Sequence, residues 1–76
     1  MNTTTEIDYT LLEGIATHVK DDGSWLHIHR NDSYVGISKT KIISISEEYG
    51  VTIRIQTTNA IISLWKQVNL FHVTIL

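Results

Sequence analysis

The chain has 76 residues, no cysteine and a formal net charge of −2, from six basic and eight acidic residues. This length predicts one domain, residues 1–76, near the lower limit at which a single hydrophobic core suffices. Lack of cysteine excludes disulfides and thiolate zinc sites. No apolar run approaches the roughly 20 residues that span a bilayer, and the first ten residues do not resemble a secretory signal. We therefore expect a cytoplasmic protein without a membrane partner, in which residues 1–8 form a flexible or loosely packed segment.

β-Branched residues dominate the composition. The chain contains 12 Ile, 5 Val and 10 Thr, which together are 27 of 76 residues. Such side chains pack well on a pleated surface and lose rotamer freedom in a helix. Ala occurs only at positions 16 and 60 and proline is absent, so good helix formers are scarce. The composition predicts an all-β fold.

The first predicted hairpin closes at Asp22-Gly23. This dipeptide suits a two-residue type I′ turn, in which both central residues have positive φ. Such a turn pairs Val19 with Leu26 on the inner face and sets His18 directly opposite His27 on the outer face. Because side chains alternate between faces, a register is credible only if apolar residues meet apolar residues.

Two further hairpins are predicted to close on two-residue turns, at Asn31-Asp32 and at Thr58-Asn59. Asn and Asp tolerate left-handed backbone geometry, which favours a turn at Asn31-Asp32. The residues at Thr58-Asn59 favour a turn less strongly. Both turns bring apolar residues opposite one another. The predicted pairs are Ile28 with Val35 and Leu26 with Ile37 in the former hairpin, and Ile55 with Ile62 and Ile53 with Leu64 in the latter.

The hairpin between these two needs a longer loop. A two-residue loop at Tyr49-Gly50 would set Ile45 against Arg54 and mix the faces. A three-residue loop over residues 48–50 sets Ile45 against Ile53 and, two residues along, Ile43 against Ile55. We therefore predict the longer loop, with Gly50 in the left-handed position of a bulge.

Residues 70–76 alternate again, but the connection at residues 67–69 has poor turn residues. This segment is predicted as a crossing strand, an edge strand that pairs with another subunit, or a short helix. The whole pattern predicts an antiparallel meander of six or seven short strands that forms a small barrel or a sandwich. The predicted core consists of Ile15, Val19, Leu26, Ile28, Val35, Ile37, Ile43, Ile45, Val51, Ile53, Ile55, Ile62, Leu64, Phe71, Val73 and Ile75.

The outer face of the first three strands carries an unusual group of side chains. In the predicted register His18 lies opposite His27, and Tyr34 lies opposite His29. Trp25 lies on the same face, opposite Lys20. Three histidines could hold zinc, so His18, His27 and His29 are candidate metal ligands. A flat face excludes little water, however, and no carboxylate is expected beside them in this register, so we predict no metal and no other cofactor.

A second group of apolar residues falls on the outer side of the later strands. It consists of Ile42, Ile61 and Trp65, with Tyr49 in a loop. In the predicted register Trp65 lies opposite Thr52. Contiguous exposed apolar surface usually marks an interface, so either another subunit or a terminal segment of this chain is expected to cover this group.

Catalytic motifs are absent from the pattern. None of the six serines lies in a nucleophile-elbow sequence, and no acid is expected behind a histidine.

We predict a non-enzymatic interaction or assembly module that self-associates and binds a protein partner, with aromatic contacts at its surface. A single-stranded nucleic-acid-binding barrel and a histidine-ligated metal protein remain as alternatives, although the charge balance disfavours nucleic acid. The predicted contact residues are Trp25, His27, His29, Tyr34 and Trp65.

Overall fold

The computed structural model describes residues 7–15, 18–30, 32–68 and 70–76. Most of the predicted N-terminal segment, residues 1–6, therefore lies outside the described residues. The described part contains seven strands and two short 3₁₀ helices, Tyr9–Gly14 and Lys39–Lys41. The strands are β1 (His18–Asp21), β2 (Trp25–Arg30), β3 (Ser33–Ser38), β4 (Ile42–Glu48), β5 (Thr52–Thr57), β6 (Ala60–Trp65) and β7 (Phe71–Ile75).

The strands form two antiparallel sheets. Sheet A has the order β1-β2-β3 and sheet B the order β4-β5-β6-β7, so every hydrogen-bonded neighbour is also the neighbour in sequence. The predicted all-β meander is confirmed. Both sheets are open, and they share one hydrophobic cluster. None of the helices in the described ranges is both long enough and apolar enough to cross a membrane.

The core lies between the two sheets. Its most deeply buried side chains are Leu26 and Ile28 of sheet A and Ile53, Ile55 and Leu64 of sheet B. All five belong to the predicted core, because they occupy the inward phase of the alternation. The 3₁₀ helix Tyr9–Gly14 contributes Leu12, which the sequence did not predict as a core residue. The other buried hydrophobic residues are Ile15, Ile37, Ile42, Ile45, Ala60 and Ile62.

Two predicted hairpin registers are confirmed. Strands β2 and β3 pair Leu26 with Ile37 and Ile28 with Val35. Strands β5 and β6 pair in the predicted register over their whole length, and the hydroxyl of Thr57 donates to the carbonyl of Ala60 across the turn. A two-residue turn is the shortest connection that sets two apolar rows against each other. Asn31, one of the two residues of the predicted turn between β2 and β3, lies outside the described residues.

The first hairpin is shifted by two residues from the prediction. His18 pairs with His29 and Lys20 with His27, so the predicted His18–His27 pair is wrong, as are the pairs of Val19 with Leu26 and Lys20 with Trp25. The physical reason is an Asx turn, since the Asp22 carboxylate accepts from the backbone N–H groups of Ser24 and Trp25. The turn therefore closes one residue later in the chain, which shifts every pairing by two residues. Because two is an even number, every side chain stays on its predicted face.

The third hairpin is also shifted by two residues. Ile45 pairs with Ile55 rather than with Ile53. Tyr49 and Gly50 both have positive φ, 57° and 72°, and the N–H of Val51 donates to the carbonyl of Glu48. The loop has the predicted three residues, but it covers 49–51 instead of 48–50, because Tyr49 takes the left-handed geometry that we assigned to Gly50 alone.

A bulge in β4 exchanges the roles of two neighbouring isoleucines. The ladder between β4 and β5 changes register between Ile42 and Ser44, so that Ile43 is the extra residue. Ile42 is 9% exposed and Ile43 is 47% exposed. The predictions that Ile43 belongs to the core and Ile42 to the outer face are therefore wrong, because a bulge interrupts the strict alternation on which they depend.

Three other predicted core residues are exposed. Val51 lies in a loop and is 51% exposed, whereas Val73 and Ile75 belong to β7 and are 39% and 73% exposed. Residues 71–75 form a strand at the edge of sheet B, so the short helix among the predicted alternatives is wrong. The side chains of Val73 and Ile75 do lie on the inner face, but the three strands of sheet A do not cover the fourth strand of sheet B.

Arg30 is a charged residue inside the sandwich. It occupies the inward phase of β2 and is 2% exposed. Its guanidinium donates to the carbonyls of Leu70 and Trp65, at the connection between β6 and β7. Burial lowers the pKa of Arg30, yet a guanidinium remains charged at neutral pH. This side chain therefore holds the start of β7 against sheet A.

Candidate interaction surface

The outer face of sheet A carries a group of rings that we call the aromatic–histidine face, His18, His27, His29 and Tyr34. The ring centroids of His29 and Tyr34 are 4.7 Å apart, and those of His18 and His29 are 5.9 Å apart. The ring of His27 stacks on Tyr34 at 5.9 Å. The alternation of three adjacent strands thus gathers all four residues on one surface, as predicted.

The ring of His27 joins a carboxylate to a phenol. Its Nε2 lies 3.0 Å from Oδ2 of Asp22, and its Nδ1 lies 2.7 Å from Oη of Tyr34. A neutral imidazole that carries its proton on Nε2 satisfies both contacts, since it donates to Asp22 and accepts from the Tyr34 hydroxyl. The sequence-based prediction that no acid lies behind a histidine is wrong, because the shifted turn of the first hairpin brings Asp22 beside the ring.

Gly36 makes room for this arrangement. It pairs with His27 on the outer face of sheet A. A Cβ atom added at Gly36 would lie 2.6 Å from Oη of Tyr34, much closer than two such atoms can approach. The Tyr34 side chain therefore crosses over Gly36, which allows its hydroxyl to reach the ring of His27. Hydrogen bonds that restrain an exposed aromatic ring lower the entropy it loses when a partner binds.

The pKa of Asp22 falls from its ordinary value of 3.8 to about 2. The largest cause is the hydrogen bond from His27, followed by the backbone N–H groups of Trp25 and Ser24. Each of these donors favours the ionised carboxylate. Asp22 thus serves the turn and the aromatic–histidine face together. A signal for this role was present in the sequence, since Asp followed by Gly is typical of Asx turns.

The lowered pKa of Asp22 predicts an acid-dependent loss of stability. Because the folded-state pKa lies below the ordinary value, the contribution of the carboxylate is present above pH 3.8 and is lost as the pH falls through about 2. Asp22→Asn keeps an oxygen for the turn but removes the charge. Urea unfolding of both proteins should show the wild type more stable at pH 5, and the difference should shrink steadily towards pH 2. A difference that stays constant over this range would contradict the assignment.

The three candidate metal ligands do not converge on one point. Within the described ranges, no group of three or more His, Asp or Glu side chains could hold a metal ion. His27 uses both ring nitrogens in the contacts with Asp22 and Tyr34. His18 faces His29 across the strand pair, so these two rings contact each other at the far end of the face from the turn.

A cleft of about 250 Å³ opens beside this face, between β3 and the pair β6 and β7. Because sheet A ends at β3, the cleft exposes the inner face of the last strand of sheet B. Trp25 forms part of its wall and is 47% exposed. Its apolar lining includes Ile37, Ile62, Val73 and Ile75. Gly36 also lines the cleft, so the cleft and the aromatic–histidine face are continuous.

Trp65 lies apart from the other predicted contact residues. It is half-buried on the outer face of sheet B, opposite Thr52 as predicted. The outer faces of the two sheets point away from each other, so Trp65 and Tyr34 are on opposite sides of the sandwich. The structure brings His27, His29 and Tyr34 together and places Trp25 at the adjoining cleft, whereas Trp65 lies apart from them. Tyr49, which we grouped with Trp65, is a loop residue that is 96% exposed.

Two basic side chains, those of Lys39 and Arg54, are paired with acids. Nζ of Lys39 lies 2.8 Å from Oδ2 of Asp21, and this contact lowers the pKa of Asp21 and raises that of Lys39. Lys39 also lies over the ring of Tyr9 at 4.7 Å. Nη1 of Arg54 lies 3.3 Å from Oε2 of Glu48. These pairs reduce the positive potential that a nucleic-acid backbone would meet.

Comparisons with known proteins found no relative of this chain. No family model matches the chain, and neither a curated protein nor a solved structure shows significant similarity to it.

Proposed function

We propose that this protein is a small non-catalytic interaction module that self-associates through the open side of its sandwich. The observation that carries the proposal is the cleft beside β7, where Trp25, Val73 and Ile75 leave apolar surface exposed along a single concave strip. Contiguous apolar surface of this kind usually marks an interface. Cytoplasmic location, expected from the sequence, belongs to the same proposal.

The size of the chain supports association. A core built from a three-stranded and a four-stranded sheet is close to the minimum for an independent fold, and small scaffolds commonly gain stability by oligomerisation. In this sandwich the inner face of β7 is not covered by sheet A, and Val73 and Ile75 are 39% and 73% exposed. Burying the side chains of Val73 and Ile75 against a partner would contribute about 25 cal/mol for each Å² removed from water.

Trp25 is the residue best placed to anchor a partner. It forms the wall of the cleft, and Gly36 connects it to Tyr34 and His27 on the aromatic–histidine face. Tryptophan and tyrosine in such positions supply most of the binding energy of many interfaces. The two alternatives have less support. The pairing of Lys39 and Arg54 with acids disfavours nucleic acid, and the contacts of His27 disfavour a three-histidine metal site.

The two tryptophans provide a matched test. Sedimentation equilibrium over a range of concentrations should show reversible association of the wild type. Trp25→Ser should raise the dissociation constant about tenfold or more, as expected for an interface anchor, whereas Trp65→Ser should leave it nearly unchanged. Far-UV circular dichroism of both variants verifies the fold. A wild-type protein that remains a monomer at millimolar concentration would refute the proposal, and equal effects of the two substitutions would remove Trp25 as the anchor.

A further inference from the structure

Strand β7 lies at the edge of sheet B, and within the described part of the chain no strand pairs with its outward backbone groups. The carbonyl of Leu70 accepts from Trp65, and the N–H of Leu76 donates to Asn59. In an antiparallel ladder the residues that bond to one neighbour alternate with residues that face the other way. The even-numbered residues of this segment therefore bond to β6, and the N–H and C=O groups of Phe71, Val73 and Ile75 point away from the sheet.

The same three residues carry the apolar side chains of the strand. Phe71, Val73 and Ile75 lie on the inner face, opposite Leu64, Ile62 and Ala60 of β6. Phe71 is half-buried, Val73 is 39% exposed and Ile75 is 73% exposed. The free backbone groups and the uncovered apolar row therefore coincide at one edge.

This edge lacks the usual protection against pairing. Natural edge strands are commonly blunted by lysine, by proline or by a bulge. Residues 67–76 contain no charged residue and no proline, and the pairing of β7 with β6 is regular. A neutral edge has no charge for a charged partner to complement, and it can pair with its own copy without like-charge repulsion.

We propose that β7 pairs antiparallel with β7 of a second copy of this chain, about a two-fold axis at Val73. This inference rests on the proposed self-association and specifies its geometry. The two four-stranded sheets would join into one continuous sheet of eight strands. Each copy offers the same surface to the other, as a two-fold interface requires.

The sequence of β7 is symmetric about its central residue. Its side chains alternate apolar, polar, apolar, polar, apolar over residues 71–75. Pairing about Val73 sets Val73 against Val73 of the second copy and Phe71 against Ile75 of the second copy. The three outward-facing residues then form three hydrogen-bonded pairs, each exchanging two backbone hydrogen bonds. Any other two-fold register shortens the overlap, so this one buries the most apolar surface.

Single-cysteine variants test this register directly, because the chain has no cysteine of its own. In a hydrogen-bonded antiparallel pair the Cα atoms are about 5.5 Å apart, a separation that a disulfide spans without strain. Val73→Cys should therefore form a covalent dimer under mild oxidation. His72→Cys is the matched control, since its side chain lies on the other face and is offset from its own copy. Cross-linking of His72→Cys in place of Val73→Cys would overturn the register.

A backbone variant tests the hydrogen bonds. Val73→Pro removes only an outward-facing N–H, which edge strands tolerate, and should raise the dissociation constant about tenfold or more. Val73→Thr keeps the N–H and the branched shape and should still associate. If Val73→Pro fails to fold, as judged by circular dichroism, the cysteine variants decide.

The outcomes separate this inference from the proposed function. A wild-type monomer would overturn both. Association that neither responds to Val73→Pro nor yields a Val73→Cys cross-link would overturn the β7 pairing alone, and another surface, or the strand of a different protein, would then occupy this edge.

Discussion

Replacing Arg30 by methionine should lower the free energy of unfolding by about 3 kcal/mol, the largest effect that we expect from a single polar residue. Methionine fills much of the same space but donates no hydrogen bond. The carbonyls of Leu70 and Trp65 accept from the guanidinium. In the variant the Trp65 carbonyl would lose this donor, whereas the Leu70 carbonyl would keep the backbone N–H of Trp65. A hydrogen bond to a charged group contributes about 1.5–3 kcal/mol, and a buried acceptor without a donor adds a further cost.

Urea unfolding of wild type, Arg30→Met and Arg30→Lys would measure this contribution. Lysine keeps a charge but presents a single ammonium in place of the planar fork, so we expect an intermediate loss of stability. Amide hydrogen exchange should show that the loss begins at the β6–β7 connection, where Trp65 donates to Leu70. If Arg30→Met and the wild type unfold at the same urea concentration, the prediction is wrong. The hydrogen bonds of the guanidinium would then only offset the free-energy cost of burying its charge.

The β4 bulge predicts that two adjacent isoleucines differ sharply in their contribution to stability. Ile42→Ala should lower the free energy of unfolding by about 2–4 kcal/mol, because it leaves a cavity in a packed core. Ile43→Ala should cost less than about 1 kcal/mol, since that side chain is 47% exposed. For a chain of this length the total stability is only about 4–11 kcal/mol, so the first substitution should be plain in a urea titration.

The two alanine variants act as controls for each other, because they change the same residue type at neighbouring positions. The sequence-based register, which placed Ile43 in the core and Ile42 outside it, makes the opposite prediction. A larger effect at Ile43 than at Ile42 would therefore contradict the bulge and restore the strict alternation of β4.

The sequence predicted which residues form the candidate surface, but it did not predict the hydrogen bonds between them. Alternation alone placed His27, His29 and Tyr34 on one face, since it depends only on the parity of positions along a strand. The contact of Asp22 with His27 depends on where the turn closes, and the competition between a two-residue type I′ turn and an Asx turn is not decided by the sequence pattern. Arg30 did give a signal, because it occupied the inward phase of β2, where a charge needs buried partners.

Local sequence patterns are enough to predict the fold class, strands β1 to β6, the registers of the β2–β3 and β5–β6 hairpins, and the face on which most side chains lie. These features follow from local rules, the preference of β-branched residues for strands and the two-residue period of the pleat. Which of the inward side chains are covered depends on the packing of the two sheets. Ile62 and Val73 pair with each other on the same face, yet one is buried and the other is exposed. The reason is that cover comes from the opposite sheet, and sheet A ends one strand short of β7.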